Sequence, residues 1–298
     1  MFSRCLLKDI IAISKMTMEN LPSRLQKLIF LDVSISKKKC DNFVIRLICV
    51  LTVFLVAAFL LYHISGMASF FRTMDLSDKQ LMLTLNYDGG SVTDGFWYML
   101  SSKYSSIPLI VGLLFSFYYF KAKWYEALLI VLSIVLVIFL SDQISSSIIK
   151  PYFCRLRPSH SPAIADMLHY VNEYRSGRYG FVSSHAANAL GVATYLSLVF
   201  RKKKFVLSLW LWAICLCYSR IYLGVHYPGD VFFGGILGVI VGGGVYYIAR
   251  YAYTHCLFKV CTIDFYTTGI SIRCALLNTA ILGTIMFILC YSMFVNLL

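Results

Sequence analysis

The sequence has little charge, and negative charge is the scarcer sign. Of its 298 residues only 14% are charged, and 27 basic residues face 14 acidic ones. A soluble globular protein has roughly 25% charged residues. Here 59% of the residues are hydrophobic and the mean hydropathy is +0.74. The shortage of charge therefore excludes a soluble globular protein and indicates an integral membrane protein.

Two further absences narrow the class of protein. The ten cysteines include no C-x-x-C pair, and Cys154 alone is predicted on the outer side of the membrane, so neither a cysteine metal site nor an internal disulfide is predicted. The net charge of +13 is divided among short loops without an RNA- or DNA-binding motif. We therefore expect no nucleic-acid partner, and we interpret the positive charge as membrane topology plus attraction to anionic lipid.

Apolar segments predict an all-α, polytopic membrane bundle. A spanning helix needs about 20 mainly apolar residues. Seven segments come near that length: 43–62, 104–120, 124–140, 185–200, 205–222, 231–251 and 275–297. On the sixth, Gly234, Gly238 and Gly242 are spaced by four residues, which predicts a close helix-packing face.

The distribution of Lys and Arg predicts the orientation. Cytoplasmic loops are enriched in both, and 18 of the 27 basic residues fall on the side of the N-terminus. We thus expect a basic cytosolic arm at 1–41, a membrane domain at 42–251, and a cytosolic connection with a C-terminal span at 252–298. Within the membrane domain, residues 64–103 are expected to form interfacial helices, one of which starts at the capping-box pattern of Ser77. Residues 141–184 are expected to form a long outer connection.

Ionisable groups gather where three outer segments meet the membrane. Pro151 and Pro158 are expected to forbid a regular helix through 150–158, which lets Lys150 and Arg157 fold back toward one point. Ser183, Ser184 and His185 open the fourth span. The stretch SRIYLGVHYPGD supplies Arg220, His226 and Asp230 between the fifth and sixth spans. Because all three segments lie at outer ends of spans, we expect these side chains at one level.

This set of residues suits phosphate chemistry. Arginine binds nonbridging phosphate oxygens in bidentate fashion, and amides at a helix start favour an anion. One histidine can attack phosphorus while a carboxylate holds its other nitrogen, and the second can protonate the leaving oxygen. His226 with Asp230 fits the first role, and His185 fits the second. Arg155, Arg175 and Arg178 either contact a large anionic head group or are solvated.

The motifs K-x6-R-P at 150–158, S-x-H at 183–185 and S-R-x5-H-x3-D at 219–230 resemble the three signatures of the type 2 phosphatidic acid phosphatase and vanadium haloperoxidase superfamily. The resemblance covers residues 90 to 250. In the second motif the family usually has P-S-G-H, whereas Val182 and Ser184 replace the Pro and Gly here.

The resemblance implies a six-span phosphatase core plus an extra C-terminal span. Lys150, Arg157 and Arg220 would bind phosphate with Ser183 and the amides around Ser184. His226 would form a phosphohistidine oriented by Asp230, and His185 would act as acid and then as base. It implies no metal and no cofactor.

The expected substrate is a phosphorylated membrane lipid: a polyprenyl (undecaprenyl) diphosphate, a lipid A-type glycolipid phosphate or a phosphatidate-type lipid. The expected location is the cytoplasmic membrane of a bacterium, with the active site on the periplasmic face. Two alternatives remain at this point. One is a transporter or channel with an outer anion-binding site, although the predicted spans carry charge mainly at their ends. The other is a vanadate-dependent haloperoxidase, although those enzymes are soluble.

Overall fold

A computed structural model describes residues 67–119, 124–253 and 270–295, so the predicted basic arm and first span lie outside the described residues. The α-helices in chain order are α1 Met67–Leu85, α2 Gly90–Ser101, α3 Ile107–Tyr119, α4 Trp124–Gln143, α5 Lys150–Phe153, α6 Ser184–Phe200, α7 Lys203–Tyr222, α8 Pro228–Tyr251 and α9 Ile270–Val295. A 3₁₀ turn, Lys103–Ser106, joins α2 to α3, and a π-helical segment, Ile144–Ile149, joins α4 to α5.

The all-helical prediction is confirmed for the described part of the chain, which contains no β-strand beyond a single bridge between Leu156 and Tyr179. Three of its helices are long and apolar enough to cross a membrane: Trp124–Phe153, Lys203–Tyr222 and Pro228–Tyr251. Shorter apolar helices occur at Tyr104–Phe115 and Ala280–Met293. The structure thus agrees with a membrane-embedded helical bundle.

One local prediction about a helix boundary is wrong. Ser77 lies inside α1 instead of capping its start, because the apolar residues before it already belong to the helix. Pro151 lies in the last turn of a helical rod that runs from Trp124 to Phe153, and no regular helix continues from there through Arg157, as predicted. A proline ring clashes with the carbonyl four residues earlier in an α-helix. The wider π turns immediately before it relieve that clash.

The centre of the bundle is the packing of α6 against α8, as the glycine spacing predicted. A methyl group added at Gly234, Gly238 or Gly242 would lie less than 3.0 Å from backbone atoms of α6 or its cap. The two helix backbones therefore touch without intervening side chains. Around them, the buried residues Tyr195, Leu196 and Leu209 join α6 and α7 in the main apolar core.

The connections place four functional segments at one end of the bundle. Residues 201–202 turn the chain tightly from α6 into α7, so α6 begins at the end where α7 finishes. The end of α5, the start of α6, the end of α7 and the start of α8 thus share that end. Asn86, between α1 and α2, fastens it: its amide donates to the carbonyls of Tyr222 (2.6 Å) and His169 (3.1 Å).

Candidate active site

His226 lies at the centre of the candidate site, in the short loop between α7 and α8. Its side chain is 1% exposed. Nη1 of Arg157 lies 3.0 Å from Nε2 of His226, and Oδ2 of Asp230 lies 3.5 Å from Nδ1. A guanidinium can only donate hydrogen bonds. Nε2 must therefore carry the lone pair, which leaves the proton on Nδ1, facing Asp230.

The protonation of His226 suits a nucleophile. Burial, and then the positive charges of Arg157, Arg220 and Lys150, hold its pKa well below the usual 6.5. The ring is thus neutral near pH 7. Burial and the charge of Arg220 also lower the pKa of Arg157, to about 10, so that this guanidinium stays protonated at neutral pH.

The contact between His226 and Asp230 is longer than a normal hydrogen bond. The Nδ1 to Oδ2 distance of 3.5 Å exceeds the usual 2.7–3.2 Å range for N–H···O bonds. Catalytic hydrogen bonds are often long in the absence of ligand and shorten in the reacting complex. Asp230 is fully buried, and its Oδ2 also accepts from the Tyr227 amide at 3.2 Å.

Ser183 acts as the N-cap of α6. Its hydroxyl accepts from the Ala186 amide at 3.4 Å and is completely buried. Its own amide donates to the carbonyl of Asp230 at 3.0 Å, which ties the start of α6 to the start of α8. The hydroxyl that sequence reasoning assigned to phosphate is therefore engaged in the helix start, as expected for a serine at an N-cap.

Ser184, which stands where the family usually has Gly, contacts the predicted phosphate ligand Lys150. The Lys150 ammonium donates to Ser184 Oγ at 2.5 Å and to Ser146 Oγ at 3.2 Å. Ser145 Oγ lies 2.8 Å from Ser184 Oγ. Ser145 and Ser146 belong to the π-helical segment one turn before Lys150, and sequence reasoning missed both. Two serine hydroxyls thus accept from the lysine head group, and Ser145 hydrogen-bonds one of them.

Arg220 is the most buried of the three predicted phosphate ligands, at 2% exposure. Its Nη1 donates to Ser101 Oγ at the end of α2, and it also hydrogen-bonds Tyr174. Burial alone would raise the pKa of Tyr174, but the hydrogen bond and the positive charge of Arg220, together with smaller contributions from Ser176 and Arg157, lower that pKa. Ser101 and Tyr174 were not predicted from the sequence, and no local pattern around either residue indicates the contact.

His185 lies in the first turn of α6 and is exposed, in contrast to His226. It is close enough to interact electrostatically with Arg220, His226, Arg157 and Lys150. The structure therefore brings the predicted site residues into one cluster, with one buried and one exposed histidine.

Arg155 is neither solvated nor free to contact a head group, which were the two interpretations from the sequence. Its guanidinium forms ion pairs with Asp230 and with Asp75 and Asp78 of α1, and its side chain is 15% exposed. Arg175 and Arg178 are exposed and lie over the rings of Tyr170 and Tyr179.

One group among the described residues has the composition of a metal site. Candidate ligand atoms of Asp88, Asp94 and His169 lie within 4.8 Å of one another. The Asp94 carboxylate already accepts from Tyr222 Oη at 2.6 Å and lies 3.0 Å from His169 Nε2. These contacts join α2 to the outer loop and to α7. This structural role explains why the three side chains lie together.

The sequence is similar to known membrane phosphatases. A sequence model of the PAP2 superfamily matches residues 126–254. The chain is 37% identical to the lipid A 4'-phosphatase of Porphyromonas gingivalis over 217 residues, which is 72% of this chain and 91% of that protein. It is 38% identical to the lipid A 4'-phosphatase of Bacteroides thetaiotaomicron over 179 residues, 59% of this chain and 79% of that protein.

A solved structure is also similar. The crystal structure of Aquifex aeolicus LpxE aligns with 27% sequence identity and a TM-score of 0.42, covering 56% of this chain and 92% of that one. The family match contains every residue of the predicted site, from Lys150 to Asp230.

Proposed function

Because the chain belongs to the PAP2 superfamily and is a membrane lipid phosphatase, we propose that it removes the 4'-phosphate from a lipid A-type glycolipid. Support for this substrate comes from the two relatives that carry this activity in their names, one of them aligned over 91% of its length. Undecaprenyl diphosphate and phosphatidate-type lipids are the competing substrates within the same chemistry. Transport and haloperoxidase chemistry are no longer needed to explain the charged cluster.

The observation that carries the proposal is that three cationic side chains lie beside one buried and one exposed histidine. Lys150, Arg157 and Arg220 can surround a phosphate whose oxygens accept their hydrogen bonds. Arg157 donates to the lone pair of His226 Nε2 in the structure. A phosphate oxygen competes for that guanidinium, so substrate binding would turn Arg157 to the phosphate and free Nε2 for attack.

The reaction then has two balanced steps. In the first, Nε2 of His226 attacks phosphorus and the bond from phosphorus to the lipid oxygen breaks. His185, which takes up a proton from water when the anionic phosphate binds beside it, gives that proton to the lipid oxygen. The product is a phosphohistidine, and Asp230 accepts a hydrogen bond from the Nδ1–H group of His226. In the second step, His185 takes a proton from water, the water oxygen attacks phosphorus, and the bond from phosphorus to nitrogen breaks.

The proposed membrane arrangement has a six-span core and a seventh C-terminal span. The N-terminus lies in the cytosol, α1 and α2 lie at the outer interface, and the site opens to the periplasm of a bacterial cytoplasmic membrane. The asymmetry of Lys and Arg along the sequence supports this orientation. The proposed site needs no metal, because three cationic side chains already supply positive charge to the phosphate.

The test is phosphate release by detergent-purified protein from a panel of lipids in EDTA. We expect fastest release from lipid A, with loss of the 4'-phosphate identified by mass spectrometry of the product, and no effect of EDTA. His226→Ala controls for contaminating phosphatases. Faster release from undecaprenyl diphosphate or phosphatidate would reassign the substrate, and a rate that collapses in EDTA would contradict the metal-free chemistry.

A further inference from the structure

Arg155 sits among three carboxylates beside the proposed nucleophile. Its Nη1 lies 2.7 Å from Asp230 Oδ1 and 2.9 Å from Asp78 Oδ2, and its Nη2 lies 3.0 Å from Asp75 Oδ1. The guanidinium also lies over the Tyr227 ring, 4.3 Å from its centroid. The contacts join the outer loop, α1 and the start of α8 at one point.

The charge balance at this point argues against binding of an anion by Arg155. Lys79 forms a 2.6 Å ion pair with Asp75, so the local group contains two cations and three carboxylates. A phosphate oxygen would compete with carboxylates that already occupy the guanidinium. Arg155 therefore differs from Arg157 and Arg220, which have no carboxylate hydrogen-bonded to them among the described residues.

Asp230 depends on Arg155 for its charge and its orientation. A fully buried carboxylate is costly unless a cation and hydrogen bonds compensate it. Oδ1 of Asp230 accepts from Arg155, which leaves Oδ2 for the Tyr227 amide and for Nδ1 of His226. The other charged groups that act on this carboxylate, Arg157, Lys150 and Asp78, do so electrostatically without a hydrogen bond to it.

We propose that Arg155 is a positioning residue for the Asp230–His226 pair, and that Asp78 on α1 holds Arg155 in place. The proposal rests on the function proposed above, in which His226 is the nucleophile. By fixing Oδ1, Arg155 sets the rotamer of Asp230 and thereby the direction in which Oδ2 faces the imidazole.

Asp78 of α1 also contacts the turn that carries Asp230. Its side chain is 8% exposed, and Oδ1 accepts from the Gly229 amide at 2.8 Å. A methyl group at position 229 would meet the Asp78 carboxylate at less than 3.0 Å, so the approach of α1 requires glycine there. Burial raises the pKa of Asp78, and the positive charge of Arg155 opposes that rise. Each group thus stabilises the charge of its neighbour.

The experiment compares kcat and KM for two substrates of different size, lipid A and p-nitrophenyl phosphate. The variants are Arg155→Gln, Arg155→Lys and Asp78→Asn, and the matched control is Arg178→Gln, an exposed arginine of the same loop. A misplacement of about 1 Å at a reacting group can cost roughly 100-fold in rate. We expect Arg155→Gln to lower kcat by about that factor for both substrates with KM nearly constant.

The conservative variants separate positioning from general damage. Arg155→Lys restores one positive charge and should recover part of the kcat lost in Arg155→Gln. Asp78→Asn keeps the acceptor for Gly229 but removes the charge facing Arg155, so it should lower kcat less than Arg155→Gln and also leave KM nearly constant. Thermal unfolding and gel filtration of every variant establish that the rates are those of folded protein.

Three outcomes would overturn the proposal. A loss confined to the KM of lipid A would make Arg155 a head-group contact, and unchanged kcat in Arg155→Gln would remove its role in the reaction. If the Arg155 variants do not fold, Asp78→Asn still decides, because an unchanged kcat there contradicts the coupling. Failure of the proposed function would look different: wild-type protein would release no phosphate, or His226→Ala would retain full activity.

Discussion

His226 and His185 differ in burial and in hydrogen-bond partners, and this difference supports different catalytic roles for the two histidines. His226 is buried between Arg157 and Asp230, and the hydrogen bond from Arg157 leaves its lone pair at Nε2. His185 is exposed at the first turn of α6. A leaving oxygen belongs to a bulky lipid outside the protein, and an exposed group can reach it.

The two roles predict different responses to the leaving group. His226→Ala should abolish turnover of every substrate, because no phosphoenzyme can form. General acid–base catalysis contributes roughly 100- to 10,000-fold. His185→Ala should therefore cost about that much with a lipid monoester, whose alkoxide needs a proton, and clearly less with an aryl phosphate, which leaves with little help. Steady-state rates on both substrates measure this difference.

Acid-quench trapping with labelled substrate provides the control for these variants. Wild-type protein should carry labelled phosphate, His226→Ala little or none, and His185→Ala some if hydrolysis of the intermediate also slows. Label retained on His226→Ala, or equal losses for both leaving groups in His185→Ala, would show that the roles are wrong even within the right family.

Spacing in the sequence indicated the charged residues of the site but not their hydrogen-bond partners. Lys150, Arg157 and Arg220 stand out because they lie on the predicted outer side, where the topology rule disfavours basic residues. Ser101 contacts Arg220 across 119 residues of sequence, and nothing around a single serine signals such a contact. Arg155 has the opposite difficulty: its charge is visible in the sequence, but the carboxylates that surround it come from distant elements.

At the scale of the helices, the close contact of α6 and α8 holds the site together. The amide of Ser183 donates to the carbonyl of Asp230 at 3.0 Å across the start of the two helices. Gly238 and Gly242 continue the contact toward the other end of the bundle. Small residues let helix backbones approach in membranes, where van der Waals packing replaces the hydrophobic driving force.

Glycines in α8 should therefore differ in their tolerance of alanine. A methyl at Gly238 would meet the backbone of α6, whereas one at Gly243 has no heavy atom within 4 Å. Overpacking typically costs about 1–3 kcal/mol, and we expect Gly238→Ala to lower the free energy of unfolding by about that amount. Gly243→Ala should raise the free energy of unfolding by up to about 1 kcal/mol, because alanine has the higher helix propensity. Thermal unfolding in detergent measures both. Equal stability of the two variants would contradict close packing at Gly238.

Helix boundaries were predicted less well than the existence of helices. The apolar segments of α4, α7 and α8 were evident because each is long and nearly free of charge. Ser77 gave a local signal that the surrounding helix overrides, because an apolar run continues α1 through the serine. Pro151 lies in the last helical turn, where the preceding π-helical segment accommodates its ring. Such outcomes depend on neighbouring turns and on tertiary packing, which local signals do not contain.

At the scale of the whole molecule, basic residues occur in two settings. Most lie on the side predicted to be cytosolic, where they fix orientation. A smaller group lies on the other side and includes Lys150, Arg157 and Arg220. Because positive charge on the outer side opposes the topology rule, the outer group requires its own function, and binding of phosphate supplies one.

Sidedness can be measured directly with cysteine. Cys154 is exposed at the end of α5, next to the proposed site, and Cys40 belongs to the predicted cytosolic arm outside the described residues. In a background carrying one cysteine at a time, an impermeant thiol reagent should label Cys154 in spheroplasts and should reach Cys40 only after permeabilisation. Labelling of both in permeabilised cells is the control for reactivity. The reverse pattern in intact spheroplasts would invert the topology, and the proposed site would then face the cytosol.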